Sequence, residues 1–461
     1  MSDLIYWSAC RIAREIRAGT LTAREAVDAC LTRIEQVNPE INAVVQLAGE
    51  RARLEADALD RLAAAGRFKG PLHGVPITLK DSFDSEGIVS TGGTLGRRDH
   101  VPAEDAPVVA RLRAAGAILL GKTNTPELTF SSETCNLIYG RTRNPFDPER
   151  SPGGSSGGAA AIIACGGAAL ELGSDTGGSI REPAHLCGIA GIKPTSGRTP
   201  RSGHIVAYVG GALDSLTQIG PMARYVEDLI LALPLICGPD GEDPSVVPAP
   251  LGNPGEVDVA SLRIAWHADN GIRSPDPEIQ RVVTAAADAL AQEGMVIKSV
   301  VLPETRELVD LITELRNATN AGMIRRLLEY YGTEQYSPEL QGYFELGGEN
   351  NRLDPALLEA IDRVRSRALR FFADFDAILC PASFALARPH RASHADSFED
   401  WCYIQPQNLL GWPGVVVRAG ISDSGLPVGV QIVAPPWRED IALALARKVE
   451  QLMGGFQPPP I

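Results

Sequence analysis

Two serines stand in glycine-rich turns of the 461-residue chain, in a setting suited to attack on an acyl group. Ser155 lies in GGSSGG, Gly153 to Gly158, and Ser179 lies in DTGGSIR, Asp175 to Arg181. Glycines beside a serine open backbone conformations closed to other residues and let main-chain N–H groups converge on one atom. A serine nucleophile needs a group that takes its proton, and N–H donors where charge develops on the carbonyl oxygen. Ser179 has the second requirement in its own turn, because Thr176, Gly177 and Gly178 precede it. A glycine-serine linker would not carry Ile162, Ile163, Leu170 and Leu172 between its glycines. A phosphate-cradling loop would place a lysine in the G-x-x-x-x-G-K-[ST] pattern, and none follows Ser155 or Ser156.

The elements around these turns read as alternating helices and short strands, the pattern of an α/β fold. In GPLHGVPITLKD, Gly70 to Asp81, Val75, Ile77 and Leu79 alternate with Pro76, Thr78 and Lys80 as in a strand. Lys80 then points away from Ile77 and Leu79, while Asp81 projects to the opposite face and makes a poor partner. From this segment alone Lys80 is a strand-end lysine reaching solvent, since lysine is rarely buried without a role. Ile5 to Val37 predicts two amphipathic helices with breaks at Gly19 and Pro39, and Arg51 to Ala65 a charged, alanine-rich helix. Ala106 to Ala117 predicts a helix, Ala117 to Leu120 a buried strand ending at Gly121, and Ala159 to Cys165 a helix beginning against GGSSGG. Beyond Thr195 the chain reads as loop until a helix from Val226 to Leu235, and Gly238 to Glu256 is linker-like. Strands follow at Leu262–Trp266, Val296–Leu302, Ala377–Leu379, Gly414–Ala419 and Val428–Val433. Helices are expected at Pro277–Glu293, through most of Leu308–Arg370, and at Ile441–Met453.

Composition narrows the class. A chain with 44% hydrophobic and 22% charged residues is ordinary for a globular enzyme, and the length allows several domains or one large α/β domain. The net charge of −14 argues against nucleic acid or an anionic membrane as a partner. Eight cysteines are scattered without a C-x-x-C pair or zinc spacing, so they read as buried small hydrophobes of a reducing compartment, with no metal site. The N-terminus shows no signal-peptide pattern and no segment suits a membrane span, which makes a cytoplasmic location the expectation. His73, His185 and His204 are open to recruitment into a Ser-His-Asp arrangement, since triads assemble in space.

GGSSGG, GSDTGGSIR and PAHLCGIAGIKPT, preceded by a GVP-type strand ending in Lys-Asp, resemble the amidase signature family in type and order. GKTNTPE, RNPFDPERSPGGSSGG and the late GLPVGVQIV extend the resemblance from about Ile5 to the end of the chain. It implies a central mixed, twisted β-sheet covered by helices on both faces. One domain would span 1–461, with a catalytic core at about 65–235 and a more variable pocket and helical region at about 256–400. The family's Ser-cis-Ser-Lys triad falls on Ser179 as nucleophile, Ser155 as the bridging serine after a cis peptide bond, and Lys80 as base. The backbone N–H groups of Thr176, Gly177, Gly178 and Ser179 would hold the oxyanion. Ser131 and Asp175 are candidates for orienting Lys80 or that turn, with local capping as the alternative. Arg181 would hold the loop and Cys187 would be a buried thiol.

The resemblance implies a cofactor-free hydrolase of amides, here of small apolar or aryl amides with tolerance for esters and carbamates. A urethanase and a glutaminase subunit of a tRNA-dependent amidotransferase are the alternatives. The partner is then a small-molecule amide or carbamate, with the chain a monomer or homodimer. Specificity is expected from the Tyr139–Arg143 turn, the Gly203–Leu213 loop, the helical region Leu308–Gly348 and Gln405–Trp412. Tyr208, Val209 and Leu213 suggest an apolar pocket or simply core, and no cluster of Arg or Lys marks these segments as a dicarboxylate site.

Overall fold

The first helices follow from local signals. The computed structural model describes residues 4–206, 216–346, 353–390 and 397–461. Helix α1 (Ala9–Ala18) buries Ile12, Ala13 and Ile16, and α2 (Ala23–Ile41) opens with a reciprocal capping box between Thr22 and Glu25. The expected break at Pro39 is displaced to Asn42. Proline forfeits one N–H bond but its φ suits a helix, and the stop comes from Asn38, whose side-chain oxygen accepts the N–H groups of Ala43 and Val44 at 2.8 and 2.7 Å.

After β1 (Val44–Leu47) and α3 (Gly49–Ala64) come β2 (Pro76–Lys80), α4 (Pro107–Ala114), β3 (Ile118–Thr123) and a small hairpin of β4 (Cys135–Asn136) and β5 (Gly140–Arg141). Then follow α5 (Gly157–Ala164), β6 (Leu170–Asp175), α6 (Arg181–Leu186), β7 (Ala190–Lys193), β8 (Gln218–Ala223) and α7 (Val226–Ile236). The second half adds β9 (Arg263–Trp266), α8 (Pro277–Gln292), β10 (Val296–Ser299), α9 (Thr305–Tyr330), α10 (Gln341–Leu346) and α11 (Pro355–Ala368). It closes with β11 (Ala377–Pro381), α12 (Gln405–Leu410), β12 (Gly414–Ile421), β13 (Pro427–Val433) and α13 (Glu439–Met453).

Among the described residues an 11-stranded sheet forms in the order β1-β3-β2-β6-β8-β7-β12-β13-β11-β9-β10. It is mixed: β2 runs parallel to β3 and β6, the pairs from β6 to β11 are antiparallel, and β11, β9 and β10 are parallel again. Successive strand residues face opposite sides. Val415 and Val417 of β12 accordingly pack in one core with Leu233 of α7 and Leu443 of α13, whereas Val416 packs in another with Ala160 of α5 and Ala184 of α6. Both faces are therefore covered by helices, as the fold class requires. No helix among the described residues is long and apolar enough to cross a membrane.

Three strand features depart from expectation. β1 lies between α2 and α3 where no strand was expected, and β3 runs on through Gly121 and Lys122 to Thr123, pairing with β1 and β2. β8 occupies part of a stretch that reads as loop, because Gly220 and Pro221 mask its strand character while burial of every residue sustains it. Gly220 is there for close approach: a Cβ at that position would lie 1.9 Å from the Ile192 carbonyl of the neighbouring β7. Gly220→Ala should therefore destabilise the chain by about 1–3 kcal/mol through overpacking against backbone, read as a lowered urea midpoint. An unmoved midpoint would mean that β7 and β8 do not lie this close.

Candidate active site

The site begins where two parallel strands end together. Leu79 of β2 pairs with Leu172 of β6, so Lys80 at the end of β2 comes to the same edge as Ser174 and Asp175 at the end of β6. The N-terminus of α5 enters that edge and delivers Ser155 and Ser156. Lys80 is fully buried, with Nζ 2.6 Å from Ser155 Oγ, 3.0 Å from Ser156 Oγ and 2.9 Å from Ser174 Oγ. The expectation of a lysine reaching solvent is thus overturned, because β2 is an inner strand packed against α5.

Burial pushes Lys80 down to about 7, against the pull of the Asp175 and Glu171 carboxylates. Neither acid touches the amine. Glu171 accepts from Thr78 Oγ1 at 2.5 Å and from Thr123 Oγ1, and burial raises its own carboxyl to about 7. Asp175 belongs to Arg181, whose Nε lies 3.0 Å from Oδ2 and whose Nη2 lies 3.0 Å from Oδ1, both residues fully buried. Burial alone would raise Asp175, but the guanidinium overrides it and holds the carboxyl well below the usual carboxylate range.

The glycine turns are held by hydroxyls and by each other. The Gly154–Ser155 peptide is cis. Thr125 Oγ1 donates to the Ser155 carbonyl at 3.0 Å, Thr134 Oγ1 donates to the Gly153 carbonyl at 2.8 Å, and the Ser156 N–H donates to the Ser179 carbonyl at 3.2 Å. Gly178 adopts φ 119°, a conformation that favours glycine, and Ile404 lies 3.0 Å from where a Cβ would stand. Ser179 is half-buried and lines a cavity of about 260 Å³ together with Gly154, Thr176 and Gly177.

Asp175 orients the turn before Ser179, since Oδ1 accepts the Gly178 N–H at 2.7 Å and Oδ2 accepts the Ile180 N–H at 3.1 Å. The first of these bonds corrects one expectation: the Gly178 N–H is committed to Asp175 and is not available to an oxyanion. Ser131 does not orient Lys80, because its Oγ accepts the Glu133 N–H at 3.0 Å in a local turn, although the residue lines the cavity. Arg181 holds the loop, reaching also the Ile404 carbonyl at 2.9 Å, Gln431 Oε1 at 2.7 Å and Asn408 Oδ1 at 2.6 Å. Cys187 is a buried thiol donating to the Pro152 carbonyl at 3.6 Å.

The histidines sit elsewhere. His73 and His185 are engaged by the carbonyls of Leu59, Gly429 and Ala385, and His204 packs against Phe83. Two hydroxyls were missed in the sequence, Ser156 and Ser174, each the neighbour of a motif residue already singled out. Their signal was available: a buried amine needs partners, and the nearest polar groups in both motifs are serines.

The cavity walls come from α9 (Leu315, Arg316, Asn320, Met323), α10 (Tyr343), α12 (Gln405), and Phe130, Val206, Phe398 and Trp401. The helical and Gln405 segments therefore contribute as expected. The Tyr139–Arg143 turn does not line this cavity, since the Tyr139 carbonyl is tied to Asn42 Nδ2 at 2.8 Å. Tyr208, Val209 and Leu213 lie outside the described residues, as does Gly348. The sequence shows no cluster of Arg or Lys that marks these segments as a dicarboxylate site, and in the fold two arginines of α9, Arg316 and Arg326, line the wall.

The family model described as Amidase matches residues 25–443. The indoleacetamide hydrolase of Bradyrhizobium diazoefficiens is 36% identical over 468 residues, covering 97% of this chain and 87% of that protein. A glutamyl-tRNA(Gln) amidotransferase subunit from Roseiflexus sp. is 35% identical, covering 94% of each. Among solved structures, 6-aminohexanoate cyclic dimer hydrolase superposes with a TM-score of 0.86 at 28% identity, covering 97% of each chain. A bacterial aryl acylamidase of the amidase signature enzymes superposes with 0.83 at 26% identity, covering 97% of this chain and 96% of its own.

Removing the acid of the buried ion pair isolates its structural weight. Asp175→Asn leaves the Arg181 guanidinium uncompensated and should lower unfolding free energy by about 3–5 kcal/mol in a denaturant titration. Because the folded carboxyl is depressed, the pair's contribution is present above the ordinary carboxylate pKa and is lost as the pH falls below it. The difference between the two proteins should therefore shrink toward acid; a constant difference would count against the ion pair.

Proposed function

The chain belongs to the amidase signature family of amide hydrolases, and we propose that it cleaves the C–N bond of small-molecule amides through an acyl-enzyme on Ser179. The observation that carries this is a buried amine, Lys80, whose three hydrogen-bond neighbours are serine hydroxyls and whose edge of the sheet opens on a cavity lined by Ser179. As a neutral amine Lys80 has two N–H donors for Ser156 and Ser174 and one lone pair that accepts the Ser155 O–H. Ser155 in turn takes the Ser179 proton as Ser179 attacks the carbonyl. The oxyanion falls to the N–H groups of Thr176, Gly177 and Ser179. Ser155 then returns a proton to the leaving nitrogen, and water releases the acid by the same relay.

The apolar lining by Phe130, Met323, Tyr343 and Trp401 supports an alkyl or aryl group beside the reacting amide. Esters and carbamates fit the same acyl-enzyme chemistry, a carbamate losing CO₂ after hydrolysis. A glutaminase subunit is the second reading, favoured by the near-complete coverage of the amidotransferase relatives. Paired anilides and aryl carbamates, assayed for released amine beside glutamine, separate the three. Turnover of glutamine alone would replace the first reading by the second.

Ser179→Ala and Lys80→Ala should each lower kcat/KM by at least about 10³-fold, and a serine-directed fluorophosphonate should label Ser179 of the folded chain. An unlabelled Ser179, or full activity in Ser179→Ala, sinks the mechanism.

The pH profile of kcat/KM on an uncharged amide should fall below about 7, where Lys80 gains its proton. Glu171 titrates in the same range, so the limb belongs to the pair. Glu171→Gln removes an anion that favours charged Lys80 and should move the acid limb to lower pH. A limb that stays in place would mean that another group is the base.

A further inference from the structure

One cation in the cavity wall, Arg316, makes no ion pair among the described residues. It projects from the middle of α9, and its Nη2 donates to the Thr176 carbonyl at 2.7 Å. A Cβ on Gly177 would lie 2.4 Å from that same nitrogen, which places the guanidinium against the turn that precedes Ser179. Its Nε is shut from water and finds no acceptor among the described residues. Asp175, the acid of that turn, is taken by Arg181.

The fully buried arginines differ from this half-buried one. Arg198 is paired with Glu439 at 2.8 Å and Arg201 with Asp243 at 3.0 Å, while Arg224 is spread over the carbonyls of Ile163, Ala168 and Trp7. A guanidinium offers five N–H donors and stays charged at any physiological pH. Arg316 is half-buried, and with one carbonyl as its partner and its Nε shut from water it keeps donors uncompensated unless a ligand completes them.

A second observation points into the same cavity. Asn320 follows Arg316 by one helical turn, on the same face of α9. It is 6% exposed and its Nδ2 has no partner among the described residues; Gln405, which lines the same cavity and is 4% exposed, has an unpartnered Oε1. Buried amide groups left without partners are destabilising, and both of these line the cavity that Ser179 lines.

We propose that Arg316, with Asn320 one turn on, binds a carboxylate carried by the substrate, so that the preferred substrates are amido acids with the carboxylate a few bonds from the scissile carbonyl. The guanidinium fork matches a carboxylate in shape and charge. Consecutive Cα atoms are 3.8 Å apart, so Gly177 and Ser179 are separated by at most about 7 Å, which sets a spacing of about two to four carbons. The apolar wall of Phe130, Met323 and Tyr343 takes the remainder of the molecule. This assignment rests on the amide-hydrolase reading above.

The test measures kcat/KM for succinamate against butyramide and for glutaramate against valeramide, in the wild-type chain, Arg316→Met and Arg316→Lys. The same four compounds are then compared as protectants of Ser179 against fluorophosphonate labelling. The wild-type chain should favour the carboxylate member of each pair, in turnover or in protection. Arg316→Met should collapse that ratio by at least about 30-fold whatever happens to the absolute rates, with part of it restored by Arg316→Lys. A wild-type ratio near one, or an equal loss for both members in Arg316→Met, overturns the assignment and leaves Arg316 as a brace for Thr176. Butyramide turned over without preference sinks only the Arg316 assignment, whereas a Ser179 that neither labels nor supports turnover of any amide sinks the hydrolase reading itself.

Discussion

A lysine held in the interior with hydroxyls in place of an anion is the constraint on which the site depends. A carboxylate in contact with Lys80 would keep it charged at neutral pH, and solvent would do the same. Both are kept away. Glu171 is occupied by Thr78 and Thr123, Asp175 by Arg181, and β2 is covered on both sides, so the acids act on Lys80 only at a distance. The aligned ends of β2 and β6 supply the pocket for the amine, and the N-terminus of α5 brings two of its three hydroxyls. That helix end carries partial positive charge, which further disfavours a second positive charge beside it.

Apart from Arg224 and Arg418, whose guanidinium groups are held by carbonyl oxygens, the buried cations elsewhere follow the same rule in two forms. Arg181, Arg198 and Arg201 cannot lose their charge, and each is matched by a carboxylate. Lysines can lose theirs. Burial lowers Lys122 to about 8 and Lys193 to about 7, and their hydrogen bonds go to hydroxyls and carbonyls: Ser85, Ser90 and Phe83 for the first, Pro194 for the second. Lys80 therefore differs from its fellow buried lysines less in its protonation than in its company, because its closest neighbour, Ser155, stands beside the cavity. Desolvation makes each of them easier to deprotonate; only geometry gives one of them a proton to take.

What could be read from the chain ahead of the structure was the part written in contiguous residues. The two glycine turns, the alternation that makes β2 a strand, and the buried helix between Gly157 and Ala164 are local patterns. Lys80 illustrates the limit: alternation shows which way a side chain points, but its burial depends on whether β2 is inner or outer, and that is settled by β3 and β6 on either side. Ser174 was hidden for the same reason, since only the parallel register of β2 with β6 brings it to Lys80. The stop at Asn42 and the strand character of β8 depend on side-chain capping and on the closeness of β7, neither of which leaves a periodic signal. Arg316 carries no motif, and its place against Thr176 exists only once α9 packs across the end of the sheet.

The distribution of these residues along the chain separates two tasks. Lys80, Ser155, Ser156, Ser174, Asp175 and Ser179 all fall within the segment that forms β2 to α6, whereas half of the cavity wall comes from α9, α10, α12 and Phe398–Trp401. A wall built from helices that do not carry the hydroxyl cluster can change without disturbing Lys80, which accords with proteins of different names matching nearly the full length of this chain. Arg316 is where the separation fails. It belongs to the wall, yet it holds the carbonyl of Thr176 in the turn that precedes Ser179. A carboxylate drawn to that guanidinium would compete for the donors that hold Thr176, so on the proposed reading substrate recognition would be tied through one side chain to the set of the turn before Ser179.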